Sequence, residues 1–548
     1  MMYPSAAPRR VAMGAALFIV LIALAAGGKA VLFDTIDPDC FLHLLAADQL
    51  LTDGIGPLVD RQSFASVPAP WTPYSWLAEL GMKWVWDHGG FRAAVIVHAC
   101  LSAAIMAVVA GTCLVRTRTT DEEPADTLAR RRGPVYDPPV VSRLSVVLAT
   151  ALAAYLSMPY LSFRPVTAAV LLLAVIGLLV VRDRRIGERS AAVWCVIPLT
   201  VLMVNIHLFA VTVPLFLGAM FLGALWERRN DFEPPDWPEG DRRAWRTGFL
   251  VAGTALACLA TPMVKGFPAA VMHLQFDPIV TGPVIAEYQP FYRGGLGVIA
   301  ALIVGALVLS AYANRRLLRA GDVIWLLLSF VILLRMGRFA PLFAVGAAPV
   351  LAVALPRLSE RLLGRPAIAG VVAVVLAAGA WRIGMSIPGT GHTLDEWANR
   401  HGPDAPGYPT NAAAYVEVNV RPVTGRLINE YTWGGYLEWR LRDRFLALLD
   451  GRTQCFSGEF WRLTYLAGDE ARRDFFSRIR ADAAILPARR SLFRDALTDL
   501  GWTSVYSDER AEVLLPPPRR AEAPADPEAR PAAGLGTDWA WPALFGAE

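Results

Sequence analysis

Long apolar runs, interrupted at intervals by a few polar residues, set the pattern of this chain. Apolar runs of about 17–25 residues can each cross a bilayer as one helix. They fall near 11–33, 92–115, 143–159, 166–182, 190–206, 208–226, 247–263, 295–313, 322–335, 339–356 and 366–384. Three longer stretches had to be divided: residues 190–226 alone would make a helix of roughly 55 Å at 1.5 Å per residue. Each stretch contains a polar break, at Ser162-Phe163-Arg164-Pro165, Asn205-Ile206-His207 or Arg335-Met336-Gly337-Arg338. The pattern predicts three tight helical hairpins within an α-helical polytopic membrane domain of about eleven spans.

Beyond residue 384 the periodicity changes. Short apolar strands are expected at Gly425–Asn429, Phe445–Leu449, Ala483–Leu486, Thr503–Tyr506 and Glu512–Leu515. Helical patterns lie between them at Gly458–Leu466, Glu470–Ile479 and Ser491–Leu500. Alternation of this kind predicts a small α/β domain over 385–515. It follows a membrane domain over 1–384, whose first outer loop is 34–91. The Pro- and Ala-rich tail, 516–548, reads as disordered.

Composition agrees with the pattern. Of 548 residues, 55% are hydrophobic and 18% charged, with mean hydropathy +0.40, too apolar for a soluble protein of this length. The net charge of +4 gives no sign of a nucleic-acid partner. Its distribution is more informative. With the N-terminus inside, the inner segments hold 23 Lys and Arg and the outer segments about eight. That bias predicts a cytoplasmic N-terminus, and an odd number of spans puts the C-terminal domain outside. In a bacterium the membrane would be the inner one, and the domain periplasmic or extracellular. The loops 116–142 and 227–246 read as solvated linkers. Cys100, Cys113, Cys195 and Cys258 fall in apolar runs; Cys40 and Cys455 would both be outside, and the sequence does not pair them.

Candidate chemistry concentrates in Phe33-Asp34-Thr35-Ile36-Asp37-Pro38-Asp39-Cys40-Phe41-Leu42-His43, just past the first span. Charge at the edge of hydrocarbon is expensive, so Asp37, Asp39 and His43 are candidate functional residues. The same stretch also makes a helix start, with Asp as cap and Pro at the first helical position. Asp37 and Asp39 could alternatively hold a divalent ion, Mg or Mn. The predicted orientation puts Arg164, His207, Glu287, Arg335 and Arg338 on the same face. Arginine suits a phosphate because its planar fork offers paired donors and stays charged. The bland alternatives are snorkelling for the arginines, a capped turn for His207 and a loop anchor for Glu287. Trp76, Leu77, Leu80, Trp84 and Val85 recur at helical spacing and predict an amphipathic helix at the interface. Trp433-Gly434-Gly435-Tyr436 is expected to pack the outer domain against the membrane part.

Taken in order, these stretches resemble the GT-C superfamily of polytopic glycosyltransferases, and a bacterial branch of it. The resemblance rests on Asp37-Pro38-Asp39-Cys40-Phe41-Leu42-His43, Trp76-Leu77-Ala78-Glu79, Arg164-Pro165, Asn205-Ile206-His207, Glu287-Tyr288-Gln289-Pro290 and Arg338-Phe339-Ala340-Pro341. In the outer domain Asn429-Glu430-Tyr431-Thr432-Trp433-Gly434-Gly435-Tyr436 and Asp450-Gly451-Arg452 carry it further. Cys40-Phe41-Leu42 departs from the family's small-aromatic-Trp pattern, and Leu208 stands where Gly is common. The resemblance implies an inverting transfer of sugar from a polyprenyl-phosphate donor to an envelope glycan, lipid or protein acceptor, among membrane lipids. It implies Asp39 or Asp37 as base, with His43 beside them. Arg338, Arg335 and Arg164 would bind the donor phosphate, and His207 and Glu287 the substrate. The rival readings are a non-catalytic scaffold of the same fold and a transporter or flippase for envelope polysaccharide. Transporters place polar residues near the bilayer midplane; here they cluster at one face.

Overall fold

The computed structural model describes residues 7–31, 37–117, 143–229, 240–277, 285, 288–354, 407–442, 444–489 and 491–518, with isolated positions between 370 and 381. Asp34, Glu287, most of the expected span 366–384 and the tail beyond 518 lie outside those residues.

Every other apolar run coincides with helix. α1 is Ala7–Val31, α2 is Asp39–Asp53 and α3 is Trp76–Thr117. The bundle continues with Arg143–Ser157, Pro165–Arg185, Val196–Val204, Thr212–Arg229, Gly240–Ala257, Gly294–Ala313, Ala320–Arg335 and Ala340–Ala354. Among the described residues, Trp76–Thr117, Pro165–Arg185, Leu208–Arg229 and Gly337–Ala354 are long and apolar enough to cross a membrane. Each polar break ends one helix and starts the next, so the three hairpins form. α3 leaves helical geometry at Gly90 (φ 57°, ψ −149°). The break separates the segment 76–89, where Trp84 is 63% exposed, from the apolar remainder.

The first loop forms a short antiparallel pair, β1 (Leu58–Val59) with β2 (Pro70–Trp71). The C-terminal part builds a five-stranded mixed sheet from β3 (Gly425–Asn429), β4 (Phe445–Ala447), β5 (Ala483–Pro487), β6 (Thr503–Ser507) and β7 (Ala511–Leu515). Its order is β4-β3-β5-β7-β6; β3 runs parallel to β4 and β5, and β7 antiparallel to β5 and β6. The expected strands are all present, β4 two residues shorter than its apolar run. Helices Thr410–Asn419 and Gly434–Leu441 carry no periodic signal that announced them.

The loop and the sheet share one core. Phe64 N–H donates to the Ala447 carbonyl (2.9 Å) and Ala447 N–H to that of Gln62 (3.1 Å), so the loop covers the β4 edge, which an open strand would leave unpaired. α2 buries Cys40, Phe41 and Leu44 among Tyr408, Tyr436, Leu437 and Ile485. Phe41 meets the Tyr436 ring edge-on at 5.4 Å, and Tyr436 stacks on Tyr408 at 4.6 Å. The stretch 433–436 thus joins the two parts of the chain. The departures at Cys40 and Phe41 are packing positions here, both wholly buried.

Candidate active site

The acidic motif divides its two tasks between its two aspartates. Asp37 Oδ1 accepts from Asp39 N–H (3.0 Å), and the Asp37 carbonyl from Cys40 N–H (2.9 Å). Asp37 therefore satisfies donors that a helix start leaves open. Asp39, first residue of α2, is free to reach across to the second hairpin element. There Arg164 precedes Pro165, which holds its backbone extended (φ −140°, ψ 162°), as proline does to the residue before it. Arg164 Nη1 lies 2.9 Å from Asp39 Oδ2 and 3.2 Å from Asp37 Oδ2, while its Nε donates to Ser162 Oγ (2.8 Å). The guanidinium stands on the side the carboxylates share. Among the described residues no group of three or more His, Cys, Asp or Glu side chains is disposed to hold a metal.

Asp39, His43, Arg164, His207 and Arg338 line one cleft with roughly 800 Å³ of empty space, part of it open to solvent. Arg338 donates to the Tyr288 hydroxyl, and its guanidinium lies over that ring, 4.8 Å from the centroid. Gly337 N–H is held by the Gln289 carbonyl at 2.9 Å, which ties the outer loop to the hairpin tip. His207 Nδ1 accepts from Phe209 N–H (3.1 Å), capping the turn as the bland alternative expects. Burial first, then the charges of Arg338, His43 and Arg164, hold its imidazole well below the usual histidine range. The ring is neutral, and with Nδ1 accepting, the proton sits on Nε2. His207 is 5% exposed yet reaches the cleft.

Two expected residues are not brought into this group. Arg335 does not line the cleft; its guanidinium lies over the Phe276 ring, 5.4 Å from the centroid. Helix geometry explains the parting, since Arg335 ends one helix and Arg338 stands in the next turn of the hairpin. Glu287 is outside the described residues, although Ile285 and Tyr288 on either side of it line the cleft.

Several lining residues went unassigned in the sequence. Trp71, Tyr74, Tyr288 and Tyr431 supply aromatic wall, with Ser75 just before α3 and Glu79 in its first turn. Glu79 Oε1 meets His43 Nδ1 at 3.0 Å. The signal was present: an acid one turn beyond Trp76 on an amphipathic helix faces whatever the apolar side covers.

The outer domain closes the cleft through Gly451-Arg452-Thr453-Gln454. A Cβ at Gly451 would stand 2.7 Å from Asp39 Oδ1 and 2.8 Å from Leu42 Cδ1, so a larger residue there would push both side chains aside. Arg452 is buried among Asp60 (2.8 Å), Glu438 (3.3 Å) and Asp450, whose Oδ2 also accepts from Arg452 Nε (2.6 Å). Ser63 Oγ donates to Glu438 Oε1 (2.7 Å). Burial, then the neighbouring Asp450 and Asp60 carboxylates, hold the Glu438 carboxyl well above the usual carboxylate range. Cys40 and Cys455 are buried free thiols, both pushed up, chiefly by burial.

No family model matches the sequence, and no curated protein is similar to it at the sequence level. Solved structures do match. The oligosaccharyltransferase of Archaeoglobus fulgidus in its apo form aligns at 12% identity and TM-score 0.51, over 86% of this chain and 69% of that one. The same archaeal enzyme, AglB, with an inhibitory peptide and a dolichol-phosphate gives 14% identity and TM-score 0.50 over the same shares. ArnT from Cupriavidus metallidurans in the apo state aligns at 14% identity and TM-score 0.48, over 92% of this chain and 98% of its own. The chain shares the fold of the archaeal oligosaccharyltransferase.

Proposed function

We propose that the chain is a glycosyltransferase that moves a sugar from a polyprenyl-phosphate donor to an acceptor hydroxyl at the outer face of a bacterial inner membrane. One observation carries the reading. The residues the sequence singled out from far-apart segments, Asp39, His43, Arg164, His207 and Arg338, line a single cleft at one end of a bundle with the GT-C fold. The archaeal oligosaccharyltransferase was solved with a dolichol-phosphate, a lipid of the class this reading requires.

Arg338, held by Tyr288, offers fixed positive charge for the donor phosphate. Arg164 offers a second fixed cation, held by Asp37 and Asp39. Donors fixed in advance where charge develops stabilise a leaving phosphate without reorganising. The acceptor oxygen attacks the anomeric carbon opposite that phosphate, its proton passing to a cleft group, Asp39 or His43. The aromatic walls suit the faces of a sugar ring.

The test is release of polyprenyl phosphate by the purified chain from a panel of lipid-linked sugars. Release from at least one donor, lost in Arg338→Ala, is the expected result; no release across the panel sinks the reading. Orientation has a separate test. Reporter fusions after Arg130 and after Tyr408 should report opposite compartments, cytoplasm and periplasm, and a shared compartment refutes the topology.

A further inference from the structure

Two buried oxygens at the cleft have no hydrogen-bond partner among the described residues, Glu79 Oε2 and Ser75 Oγ. Their residues are 3% and 2% exposed, Ser75 immediately before α3 and Glu79 in its first turn, with Glu79 N–H donating to the Ser75 carbonyl (3.0 Å), and both line the cleft. A buried polar atom without a partner is a standing cost that native structures rarely keep without a use. The other Glu79 oxygen is engaged: Oε1 lies 3.0 Å from His43 Nδ1. A carboxylate only accepts, so Nδ1 carries the proton and the lone pair of His43 is on Nε2. His43 lines the cleft, its ring held from behind by a residue of another helix.

Asp39 is differently placed. Its Oδ2 already holds Arg164 at 2.9 Å, and its Oδ1 lies against Gly451, where an added Cβ would come within 2.7 Å. The ion pair with Arg164 ties the first loop to the hairpin tip.

We propose that His43 is the proton acceptor for the acceptor hydroxyl and that Glu79 is its positioning residue, with Ser75 Oγ orienting the hydroxyl. The proposal rests on the glycosyl-transfer reading. In the step, the acceptor O–H bond breaks and its proton goes to His43 Nε2. The oxygen forms its bond to the anomeric carbon as the bond from that carbon to the phosphate oxygen breaks. The electron pair leaves with the polyprenyl phosphate, and the imidazolium is stabilised by the Glu79 carboxylate beside it. An imidazole held by a buried carboxylate keeps one tautomer and one orientation, the arrangement that makes a histidine an effective base.

The experiment uses the full chain and a panel of undecaprenyl-phosphate sugars, reading released undecaprenyl phosphate. His43→Ala should lower kcat by about 10²–10⁴-fold, with added imidazole restoring part of the loss. Glu79→Gln, whose amide no longer selects the tautomer, should lower kcat by about 10²–10⁴-fold with KM unchanged, and Glu79→Asp should recover part. Failure of imidazole to rescue, or a Glu79→Gln effect confined to KM or folded yield, overturns the assignment. If the wild type releases nothing from any donor, the transfer reading falls, and the pair itself is still decided by carbethoxylation. Diethyl pyrocarbonate should modify His43 in the folded wild type, read by mass spectrometry, and do so several-fold more slowly in Glu79→Gln. An unchanged rate in that variant overturns the pair.

Discussion

At one end of the bundle Arg164 and Arg338 line the polar cleft; at the other, arginines and carboxylates close on one another as ion pairs, three of them, Arg116, Arg184 and Asp322, lining a second cleft with apolar walls. In the closed set Asp322 takes Arg116 at 2.5 Å and Arg184 at 2.6 Å on its two oxygens. Arg243 bridges Glu227 at 2.7 Å and Glu188 at 3.0 Å, and Glu188 also holds Arg319 at 2.6 Å. Asp322 and Glu227 are each 2% exposed. Both sets arise from charges that interrupt or flank apolar runs, so their positions in the sequence look alike. They differ in what surrounds them. The closed set joins four arginines to three carboxylates, whereas the cleft set gathers two arginines, two histidines and Asp39 with aromatic side chains around one larger space. Charge at a membrane boundary therefore marks a site by the imidazoles, hydroxyls and rings assembled with it, not by the charge alone.

The largest expected effect tests the closed end. Asp322→Ala strands two buried guanidiniums and should cost about 3–5 kcal/mol of stability, as breaking a buried pair does. Turnover per folded molecule should be unchanged, measured by thermal unfolding beside polyprenyl phosphate release; stable protein with lost turnover would break the contrast. At the cleft end Arg338→Ala should do the reverse, lowering kcat by about 10²–10³-fold while the unfolding temperature holds within a few degrees.

Gly435→Ala sharpens the comparison where the outer domain meets α2. Its Cβ would stand 2.6 Å from Leu42 Cγ and 2.9 Å from the Pro38 carbonyl, and overpacking of that kind costs about 1–3 kcal/mol. Because Pro38 and Leu42 flank Asp39, folded yield and turnover should both fall; loss of neither would show that the contact yields freely.

Smaller is the pH effect at Glu438. Its folded carboxyl titrates above the unfolded value of 4.5, so its contribution is complete below 4.5 and is lost as pH rises through the folded value. Melting curves should show wild type falling relative to Glu438→Gln between pH 5 and 8. Parallel curves would mean that the carboxyl ionises normally in the fold. The smallest change belongs to Asp37→Asn. Asn caps a helix as well as Asp, and its partly exposed pairing with Arg164 is worth about 1 kcal/mol or less. Turnover should stay within a few-fold, and a collapse would move the chemistry from Asp39 and His43 to Asp37.

The sequence by itself determined the helical segments, the three hairpin breaks and the strands of the outer domain. These follow from periodicity, length and turn residues, which are local properties. It also brought forward Asp39, His43, Arg164, His207 and Arg338, because a charge or imidazole beside an apolar run is conspicuous. Tertiary structure alone decided which of them meet. Arg335 and Arg338 are three residues apart, yet one lies over Phe276 and the other enters the cleft. Glu79 is 36 residues from His43 and was noted only within the stretch 76–79, with no role, until α3 turned it toward that ring. The ion network at the closed end was counted only as positive charge, since a tally of Lys and Arg says nothing of the acids folded against them. Pairing and the shared lining of a cleft are relations between distant side chains, and a chain has them only once its helices have packed.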